Sequence, residues 1–315
     1  MSDRAISAVI DELLAQERLP STYRDTAMTI ILPLARELQR RQRAAGRTLL
    51  VGIHGAQGTG KSTLTLFLQS LLTEHLNCAC SSFSLDDIYL TQAERQRLAE
   101  TVHPLLRTRG VPGTHDLDLG QRLIDQLVKA SADSEVAIPF FDKARDDRVP
   151  EAQWPRFSGV AAIVLVEGWC LGARPETDPQ KLMAPQNELE RRDDPDGVWR
   201  RYVNHRLDTD YAQFFSQLDR LIMLRAPSMA CVLRWRTLQE HKLARRLDDA
   251  PERSDEPVVE AKPPRIMTDD QVAWFIMHYE RITRRTLIEM PSRADWVIDV
   301  NENHGLTLAK GESLL

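Results

Sequence analysis

Residues 48–64 read TLLVGIHGAQGTGKSTL, a short apolar run followed by a glycine-rich loop and a helix-like segment. Within it, residues 55–62 fit the phosphate-loop pattern G-x-x-x-x-G-K-[ST], in the strand-to-helix position that the pattern requires. Glycines let successive backbone N–H groups turn onto phosphate oxygens, and the helix N-terminus adds partial positive charge. A chance match in a glycine-rich turn is the alternative, but pattern and context together favour binding of ATP or GTP.

The phosphate loop also predicts individual roles. Lys61 is expected to reach the β- and γ-phosphates and to act in catalysis, and the Ser62 hydroxyl is expected to bind Mg²⁺. Glu167 follows the apolar run of VLVEGW and is predicted to hold the metal or its water shell, the alternative being an exposed glutamate at a strand end. The residues predicted to hold the nucleotide here are Gly55, Ala56, Gln57, Gly58, Thr59, Gly60, Lys61, Ser62 and Thr63.

Five apolar or β-branched runs alternate with helical or polar segments along the chain, and this alternation predicts an α/β fold. With the phosphate loop, it indicates a three-layer P-loop NTPase fold in which a mainly parallel five-stranded sheet is flanked by helices. The run AAIVLV is apolar at every position and is therefore predicted to be a central strand. The five runs are residues 48–53, 78–85, 161–168, 220–227 and 295–300.

Two aspartates in SLDDIYLT, residues 84–91, follow the second predicted strand at the sheet edge where phosphate chemistry takes place. Phosphoryl transfer to a hydroxyl needs a proton acceptor, and Asp86 is predicted to be that catalytic base. Asp87 is expected to bind a magnesium-bound water or to anchor the loop. The alternative is that the Asp-Asp pair caps the following helix, which for Asp87 is compatible with catalysis by Asp86.

Two polar segments are candidates for binding a small acid. Residues 107–118, RTRGVPGTHDLD, cannot be helical throughout because of their glycines and proline, and arginine pairs well with carboxylate. Residues 138–148, IPFFDKARDDR, lead to the same sheet edge. A plain surface turn and a solvated charge run are the respective alternatives. The residues predicted to contact substrate are Asp86, Tyr89, Arg107, Arg109, Thr114, His115, Asp116 and Lys143.

A basic helical segment, RWRTLQEHKLARR at residues 234–246, precedes a proline-rich acidic stretch. A mobile basic helix over the phosphates would exclude water and bring an arginine to the transferred group. Arg234 and Arg236 are therefore predicted to contact nucleotide. The alternative is a solvated helix face with charge pairs between residues i and i+4.

Composition limits the function classes. The chain has 315 residues, 42% of them hydrophobic, and a net charge of -5, which argues against a dedicated nucleic-acid binder. It lacks a secretory signal pattern and any run of roughly 18 apolar residues. We expect a cytoplasmic protein that binds a small-molecule substrate, without a nucleic-acid or membrane partner; the oligomeric state is left open. Four cysteines are predicted to be reduced, buried thiols: Cys78, Cys80, Cys170 and Cys231.

The ordered motifs of the chain resemble those of the D-glycerate 3-kinase family and its ATP-binding relatives in bacteria, fungi and plants. This family belongs to the P-loop kinases that include uridine, pantothenate and phosphoribulose kinases. The resemblance covers residues 48–304, and RGVPGTHD with the tryptophan-containing motifs is more selective than the phosphate loop. The motifs are GAQGTGKS, SLDDIYLT, RGVPGTHD, FDKARDDR, VLVEGW, WRRYVN, WRTLQEHK and MTDDQVAWFIMHYERIT.

The resemblance implies ATP-dependent phosphorylation of the 3-hydroxyl of D-glycerate, which gives 3-phosphoglycerate. It implies that Lys61 and Ser62 serve nucleotide and metal, that Asp86 is the base, and that the loop from Arg109 to Asp116 binds substrate. FDKARDDR departs from the family pattern because it lacks the glycine-containing stretch expected after FDK, which bears on substrate contacts there. A kinase for a nucleoside or a pantothenate-like acceptor, and a non-catalytic ATP-binding regulator, are the alternatives.

The predicted organisation has three parts. Residues 1–46 are expected to form N-terminal lead-in helices, and residues 47–304 the P-loop kinase domain. Within that domain we predict a polar insertion at about 172–200 and a lid at about 228–266, with mobile surface loops at 172–200 and 248–265. Residues 305–315 are predicted to be a C-terminal tail.

Overall fold

The structure, a computed structural model, describes residues 3–248 and 266–311. Its α-helices are α1 (Asp3–Gln16), α2 (Tyr23–Thr26), α3 (Leu32–Ala45), α4 (Lys61–Ser70), α5 (Gln92–Thr101), α6 (Leu117–Lys129), α7 (Pro179–Met183), α8 (Glu188–Asp193), α9 (Val198–Arg206), α10 (Ala212–Ser216), α11 (Met229–Asp248) and α12 (Asp269–Glu289). Its strands are β1 (Leu49–Gly55), β2 (Cys80–Ser84), β3 (Glu135–Ala137), β4 (Phe141–Asp142), β5 (Asp147–Arg148), β6 (Arg156–Ser158), β7 (Ile163–Gly168), β8 (Arg220–Arg225), β9 (Trp296–Val300) and β10 (Leu306–Lys310).

The main sheet has the strand order β10-β9-β8-β1-β7-β2. The five predicted strands are all present and parallel, which confirms the α/β P-loop class. The sheet has six strands instead of five, because β10 pairs antiparallel with β9. Residues 306–310, expected in a C-terminal tail, therefore form an edge strand. Two further pairs lie outside this sheet, β3 with β6 and β4 with β5.

The central strand β7 shows why the sheet is covered on both faces. Its residues are all buried, and successive side chains of a strand point to opposite faces. Ile163 and Leu165 belong to one hydrophobic cluster, whereas Val164 and Val166 belong to another. This is the three-layer arrangement that the uniformly apolar run predicts.

The N-terminal helices are part of the first of these clusters. Ile10, Ile31, Leu34 and Leu38 are buried there with residues of β1, β7 and β8. The periodic apolar residues of this segment thus bury one helical face against the sheet layer, as their spacing predicts. The boundaries of the lead-in and of the kinase domain stay predictions.

Residues 172–200 differ from the expected mobile surface loops. The segment contains α7 and α8 and the start of α9, and it carries buried charges. Glu190 and Asp194 lie near the Arg200 guanidinium, at 3.9 and 3.4 Å. Proline and charge density suggested exposure, but these charges are paired inside the protein.

The four cysteines are all buried and free, which confirms the prediction for them. Of the predicted lid, residues 249–265 lie outside the described residues. Among the helices that the structure describes, none combines the length and the apolar character needed to cross a membrane.

Candidate active site

The phosphate loop joins the carboxyl end of β1 to the first turn of α4. Gly58 and Gly60 have φ angles of +77° and +91°, a region that glycine enters without a steric penalty. The Thr59 hydroxyl donates to the Ala56 carbonyl oxygen at 2.8 Å, and Lys61 Nζ lies 3.3 Å from the same oxygen. The loop is thus closed by its own side chains, and the Lys61 ammonium is held beside it.

All nine predicted nucleotide-loop residues lie in this one strand-to-helix connection. Gly55 ends β1, Ala56 is buried, and Gln57 is half-buried with its Oε1 lacking a hydrogen-bond partner among the described residues. Ser62 and Thr63 lie in the first turn of α4. The backbone amides of such a turn and the helix N-terminus suit an anion.

Ser62 and Glu167 lie together, as expected for a metal site. In the sheet register Glu167 is opposite Ile53 of β1 and Ser84 of β2, and it accepts a hydrogen bond from Ser62 Oγ at 3.0 Å. A hydroxyl and a carboxylate are hard oxygen ligands of the kind that Mg²⁺ prefers, beside a loop suited to phosphates. This donor set fits Mg²⁺ bound together with a nucleotide.

Asp87 has one oxygen committed to the backbone. Its Oδ2 accepts from Ser84 N at 2.9 Å, which closes a capping box on the 3₁₀ turn Leu85–Ile88. Burial raises the pKa of Asp87 to about 6, and the carboxylates of Asp86 and Glu167 act in the same direction. The aspartate pair therefore does not cap α5, whose cap is Thr91. Loop anchoring accounts for one Asp87 oxygen, and its metal role stays a prediction.

Asp86 lies in a cluster with two other predicted site residues. Tyr89 Oη donates to Asp86 Oδ1 at 2.7 Å, and Lys143 Nζ donates to Oδ2 at 2.6 Å. Burial favours the protonated acid, but the charge and hydrogen bond of Lys143, the Tyr89 hydroxyl and the charge of Lys61 together hold the pKa of Asp86 well below its usual range. Asp86 is therefore an ionised carboxylate near the phosphate loop, and its role as catalytic base stays a prediction.

The 107–118 loop is shaped by two residues that were expected to bind substrate. Thr114 is 0% exposed; its Oγ accepts from Gly110 N at 3.0 Å and donates to Val111 O at 2.7 Å. Asp116 caps α6 by accepting from Leu119 N at 2.9 Å, and its other oxygen accepts from Arg148 at 3.1 Å. Both side chains form hydrogen bonds that shape the loop, and the substrate roles of Thr114 and Asp116 stay predictions.

His115 and the two arginines of this loop differ in setting. His115 is buried and stacks on Tyr89, with ring centroids 4.7 Å apart. Arg109 forms an ion pair with Asp146 and lies over the Phe141 ring, so its guanidinium belongs to the same side of the cluster as Lys143. Arg107 ends a 3₁₀ turn, Pro104–Arg107, and is exposed. The substrate roles of these three residues stay predictions.

The arginines of the predicted lid have carboxylate partners. Arg236 pairs with Glu240 at 2.7 Å, one helical turn away, and Arg234 pairs with Glu302 at 3.1 Å. Charge pairing on and next to α11 engages both guanidinium groups, and the nucleotide contacts of Arg234 and Arg236 stay predictions. The intrahelical pair of Arg236 is the alternative that the sequence left open.

Trp235 of α11 contacts the phosphate loop; the sequence placed it in the motif WRTLQEHK but indicated no role for it. A Cβ placed on Gly58 would lie 2.5 Å from Trp235 Cβ, so tryptophan and loop are closely packed. The His304 ring packs against Trp235 in a tilted arrangement with ring centroids 4.7 Å apart, and its Nε2 lies 2.9 Å from the Gly58 carbonyl oxygen. His304, in the connection between β9 and β10, thus contacts both the phosphate loop and Trp235 of α11.

Arg95 is another residue that sequence reasoning missed. It is buried on α5, and its guanidinium donates to the carbonyl oxygens of Leu90 at 3.1 Å, Arg107 at 2.9 Å and Asp146 at 2.6 Å. Arg95 therefore ties together the Asp86 segment, the 107–118 loop and the β4–β5 turn. No signal in the sequence separates it from Arg97, the exposed arginine of the same helix.

The proteins to which the chain is similar are kinases, in agreement with the geometry of the site. No protein-family model matches the chain. The chain is similar to an uncharacterized kinase of Schizosaccharomyces pombe, mug58, with 36% identity over 257 residues that cover 79% of this chain and 85% of the relative.

Two relatives carry a more specific name. The chloroplastic D-glycerate 3-kinase of Arabidopsis thaliana is 29% identical over 274 residues, which cover 83% of this chain and 54% of the plant protein, so the match spans about half of that longer chain. The solved structure of D-glycerate 3-kinase from Cryptococcus neoformans superposes with a TM-score of 0.69 and 25% identity, covering 92% of this chain and 99% of that one.

Proposed function

This chain belongs to the D-glycerate 3-kinase family of P-loop kinases, and from that premise we propose that it transfers the γ-phosphoryl group of ATP to the 3-hydroxyl of D-glycerate. The products are ADP and 3-phosphoglycerate. The observation that carries the proposal is the ionised Asp86 carboxylate, bonded to Lys143 and Tyr89 and near enough to Lys61 for that ammonium to lower its pKa.

The donor half of the proposed reaction rests on the phosphate loop. The backbone amides of residues 55–60 and the N-terminus of α4 bind the phosphates, and Lys61 neutralises charge that develops on the transferred group. Ser62 and Glu167 would hold Mg²⁺, which supplies charge neutralisation at the β- and γ-phosphate oxygens when it is bound. The hydrogen bond of 3.0 Å between these two side chains supports their shared role.

The acceptor half rests on Asp86. The substrate hydroxyl gives its proton to this carboxylate as its oxygen attacks the γ-phosphorus, and the bond from that phosphorus to the bridging oxygen of ADP breaks. Asp86 is ionised well below neutral pH and therefore available as the acceptor. General-base catalysis of this kind contributes about 10²- to 10⁴-fold.

A small carboxylate-bearing acceptor suits the charges next to Asp86. Lys143 is 60% exposed at its side chain, and the Arg109 guanidinium lies on the same side, paired with Asp146. Cations that can reorient toward a carboxylate favour a hydroxy acid over an uncharged nucleoside. These cations support D-glycerate as the acceptor, the substrate named for two of the similar proteins.

Two other functions are compatible with the same fold. A kinase for another hydroxylated acceptor, such as a nucleoside or a pantothenate-like molecule, would use the same donor half. A non-catalytic, ATP-binding regulator would bind nucleotide without an acceptor. Asp86 is near enough to Lys61 for the ammonium charge to lower its pKa, and this proximity favours the two kinase hypotheses over the regulator.

An acceptor panel tests the proposal. ADP release is measured in a coupled assay with ATP, Mg²⁺ and, in separate reactions, D-glycerate, L-glycerate, uridine or pantothenate. We expect turnover with D-glycerate to exceed that with each other acceptor. Turnover led by uridine or pantothenate would overturn the substrate proposal, and background hydrolysis alone with every acceptor would favour the regulator.

A further inference from the structure

The imidazole of His115 is held between two tyrosines. One face stacks on Tyr89, at an interplanar angle of 28°, and the backbones of the two residues form an isolated antiparallel bridge. On another side, His115 Nδ1 lies 2.5 Å from Tyr211 Oη, with the two rings edge-to-face. His115 is 2% exposed and Tyr211 is 0% exposed, so both polar groups are out of contact with solvent.

The hydrogens of this contact can be assigned by counting. Gly113 N donates to Tyr211 Oη at 2.9 Å, so the phenolic oxygen already accepts one hydrogen bond. The hydroxyl has a single hydrogen, and within the described residues His115 Nδ1 is its acceptor. Donation to Nδ1 satisfies both groups, and it leaves the one ring hydrogen of a neutral imidazole on Nε2.

The imidazole is neutral. Burial lowers the pKa of His115 to about 4, against the opposing influence of the Asp86 carboxylate. Its Nε2 is buried and has no hydrogen-bond partner among the described residues. A buried donor without a partner is destabilising, and such atoms are rare in native proteins unless they serve a ligand or a water.

Tyr89 connects the His115 ring to the proposed base. The Tyr89 ring on which His115 stacks carries the hydroxyl that donates to Asp86 Oδ1 at 2.7 Å. An imidazolium would compete with Lys143 for the Asp86 carboxylate. A neutral imidazole does not, and its N–H can bind an oxygen of the acceptor. The location and the protonation state therefore both suit recognition of the acceptor.

We propose that Tyr211 is a positioning residue that fixes His115 as the Nε2–H tautomer, and that this N–H donates to an oxygen of the phosphoryl acceptor. The role toward the acceptor rests on the proposed function, whereas the tautomer does not. This N–H can donate to a hydroxyl or to a carboxylate oxygen. The hydroxy acid would then be bound by His115 on one side and by the cations near Asp86 on the other.

The first test is spectroscopic and needs no substrate. Nitrogen-15 NMR of the full chain with labelled histidine reports which ring nitrogen carries the proton, and the His115→Gln variant assigns the signal by its loss. We expect a protonated Nε2 and an unprotonated Nδ1 in the wild type, and a mixture of tautomers in Tyr211→Phe. A protonated Nδ1 in the wild type would overturn the proposed role of Tyr211.

The second test uses two amides at position 115. Glutamine places its amide nitrogen near the position of Nε2, whereas asparagine places it near Nδ1. With the acceptor that the panel identifies, we expect His115→Asn to raise the acceptor KM by about ten- to a hundredfold with the KM for ATP unchanged, and His115→Gln to stay within about threefold of the wild type. Equal losses in both variants would show a merely structural role.

Controls separate folding from function. His278→Gln changes another buried histidine whose Nε2 also lacks a partner among the described residues, and Tyr23→Phe removes a hydroxyl on the N-terminal helices. Both should leave the acceptor KM unchanged. Thermal unfolding and ATP binding of each variant show whether it is folded. If no acceptor is phosphorylated by the wild type, the proposed function fails, while the NMR result still decides the tautomer.

Discussion

Lys143 Nζ lies 2.6 Å from Asp86 Oδ2, while Tyr89 Oη donates to the other carboxylate oxygen at 2.7 Å. An acceptor hydroxyl that gives its proton to Asp86 binds either at a free lone pair of one of these oxygens or in place of one of the two donors. Lys143 is the more readily displaced, because its side chain is 60% exposed and Tyr89 is buried. A carboxylate on the acceptor would give the displaced ammonium a new partner.

Replacing Lys143 should move the acid limb of the pH profile. Burial alone would raise the pKa of Asp86, and the charge and hydrogen bond of Lys143 are the main effects that lower it. In Lys143→Met the pKa rises, so Asp86 becomes protonated at higher pH and kcat/KM for the acceptor falls off earlier as pH decreases. The measurement is kcat/KM against pH, with Arg145→Met as the control for loss of a nearby exposed cation. An acid limb at the wild-type position would contradict this account of Asp86.

Substitutions at Gly58 of the phosphate loop and at Gly46, which has a similar φ angle, distinguish the effect of backbone strain from that of steric crowding. Gly58 and Gly46 have φ angles of +77° and +64°, but a Cβ on Gly58 would lie 2.5 Å from Trp235 Cβ, whereas one on Gly46 meets nothing within 4 Å. Gly46→Ala should cost about 1–2 kcal/mol of stability and leave the ATP Kd unchanged. Gly58→Ala should also weaken ATP binding, on the order of tenfold or more. Titration calorimetry measures the ATP Kd of both variants, and urea unfolding measures their stability. Equal ATP affinities would contradict the close packing of Trp235 on the loop.

Replacing the Glu167 carboxylate should weaken the binding of Mg²⁺ more than the binding of ATP. Glu167→Gln keeps an oxygen that can accept from Ser62 but removes the negative charge. We expect a several-fold higher Mg²⁺ concentration for half-maximal turnover, because hard cations favour carboxylate oxygens. ATP binding with a chelator present is the control and should be unchanged. An unaltered Mg²⁺ dependence would remove Glu167 from the metal site.

The buried charges of α8 should dominate the stability of residues 172–200. Glu190 is 0% exposed and accepts from both Nε and Nη2 of Arg281, at 2.8 and 2.6 Å. Glu190→Ala leaves buried guanidinium groups without that carboxylate and should cost about 3–5 kcal/mol. Glu188→Ala, which removes an exposed pair with Arg191, should cost about 0–1 kcal/mol. Urea unfolding measures both, and similar midpoints would argue against the buried network.

Local sequence patterns predicted the strands and the phosphate loop because they depend on periodicity and backbone freedom. The apolar run of β7 and the glycines of residues 55–62 carry that information within a few residues. Strand β10 was missed because LTLAK is only partly apolar and lies on the sheet edge, with half-buried and exposed residues. Its pairing with β9 becomes visible only in the folded chain.

The partners of polar side chains were less predictable, since each depends on distant residues. Thr114 and Asp116 have the donor and acceptor chemistry of a substrate loop, yet their hydrogen bonds are satisfied by the loop and by Arg148. Arg95 and Tyr211 carry no local signal, although each joins segments far apart in sequence. By contrast, the position of Asp86 at the carboxyl end of β2 was predictable because it lies two residues after that strand, and its catalytic role stays a prediction.

The most direct test of the account is product formation by the wild type and by Asp86→Asn, followed by phosphorus-31 NMR with ATP, Mg²⁺ and D-glycerate. We predict 3-phosphoglycerate and ADP in equal amounts from the wild type. Asp86→Asn should retain ATP binding but lose turnover by about 10²- to 10⁴-fold. Near-normal turnover in Asp86→Asn, or ADP and inorganic phosphate without phosphoglycerate from the wild type, would contradict it.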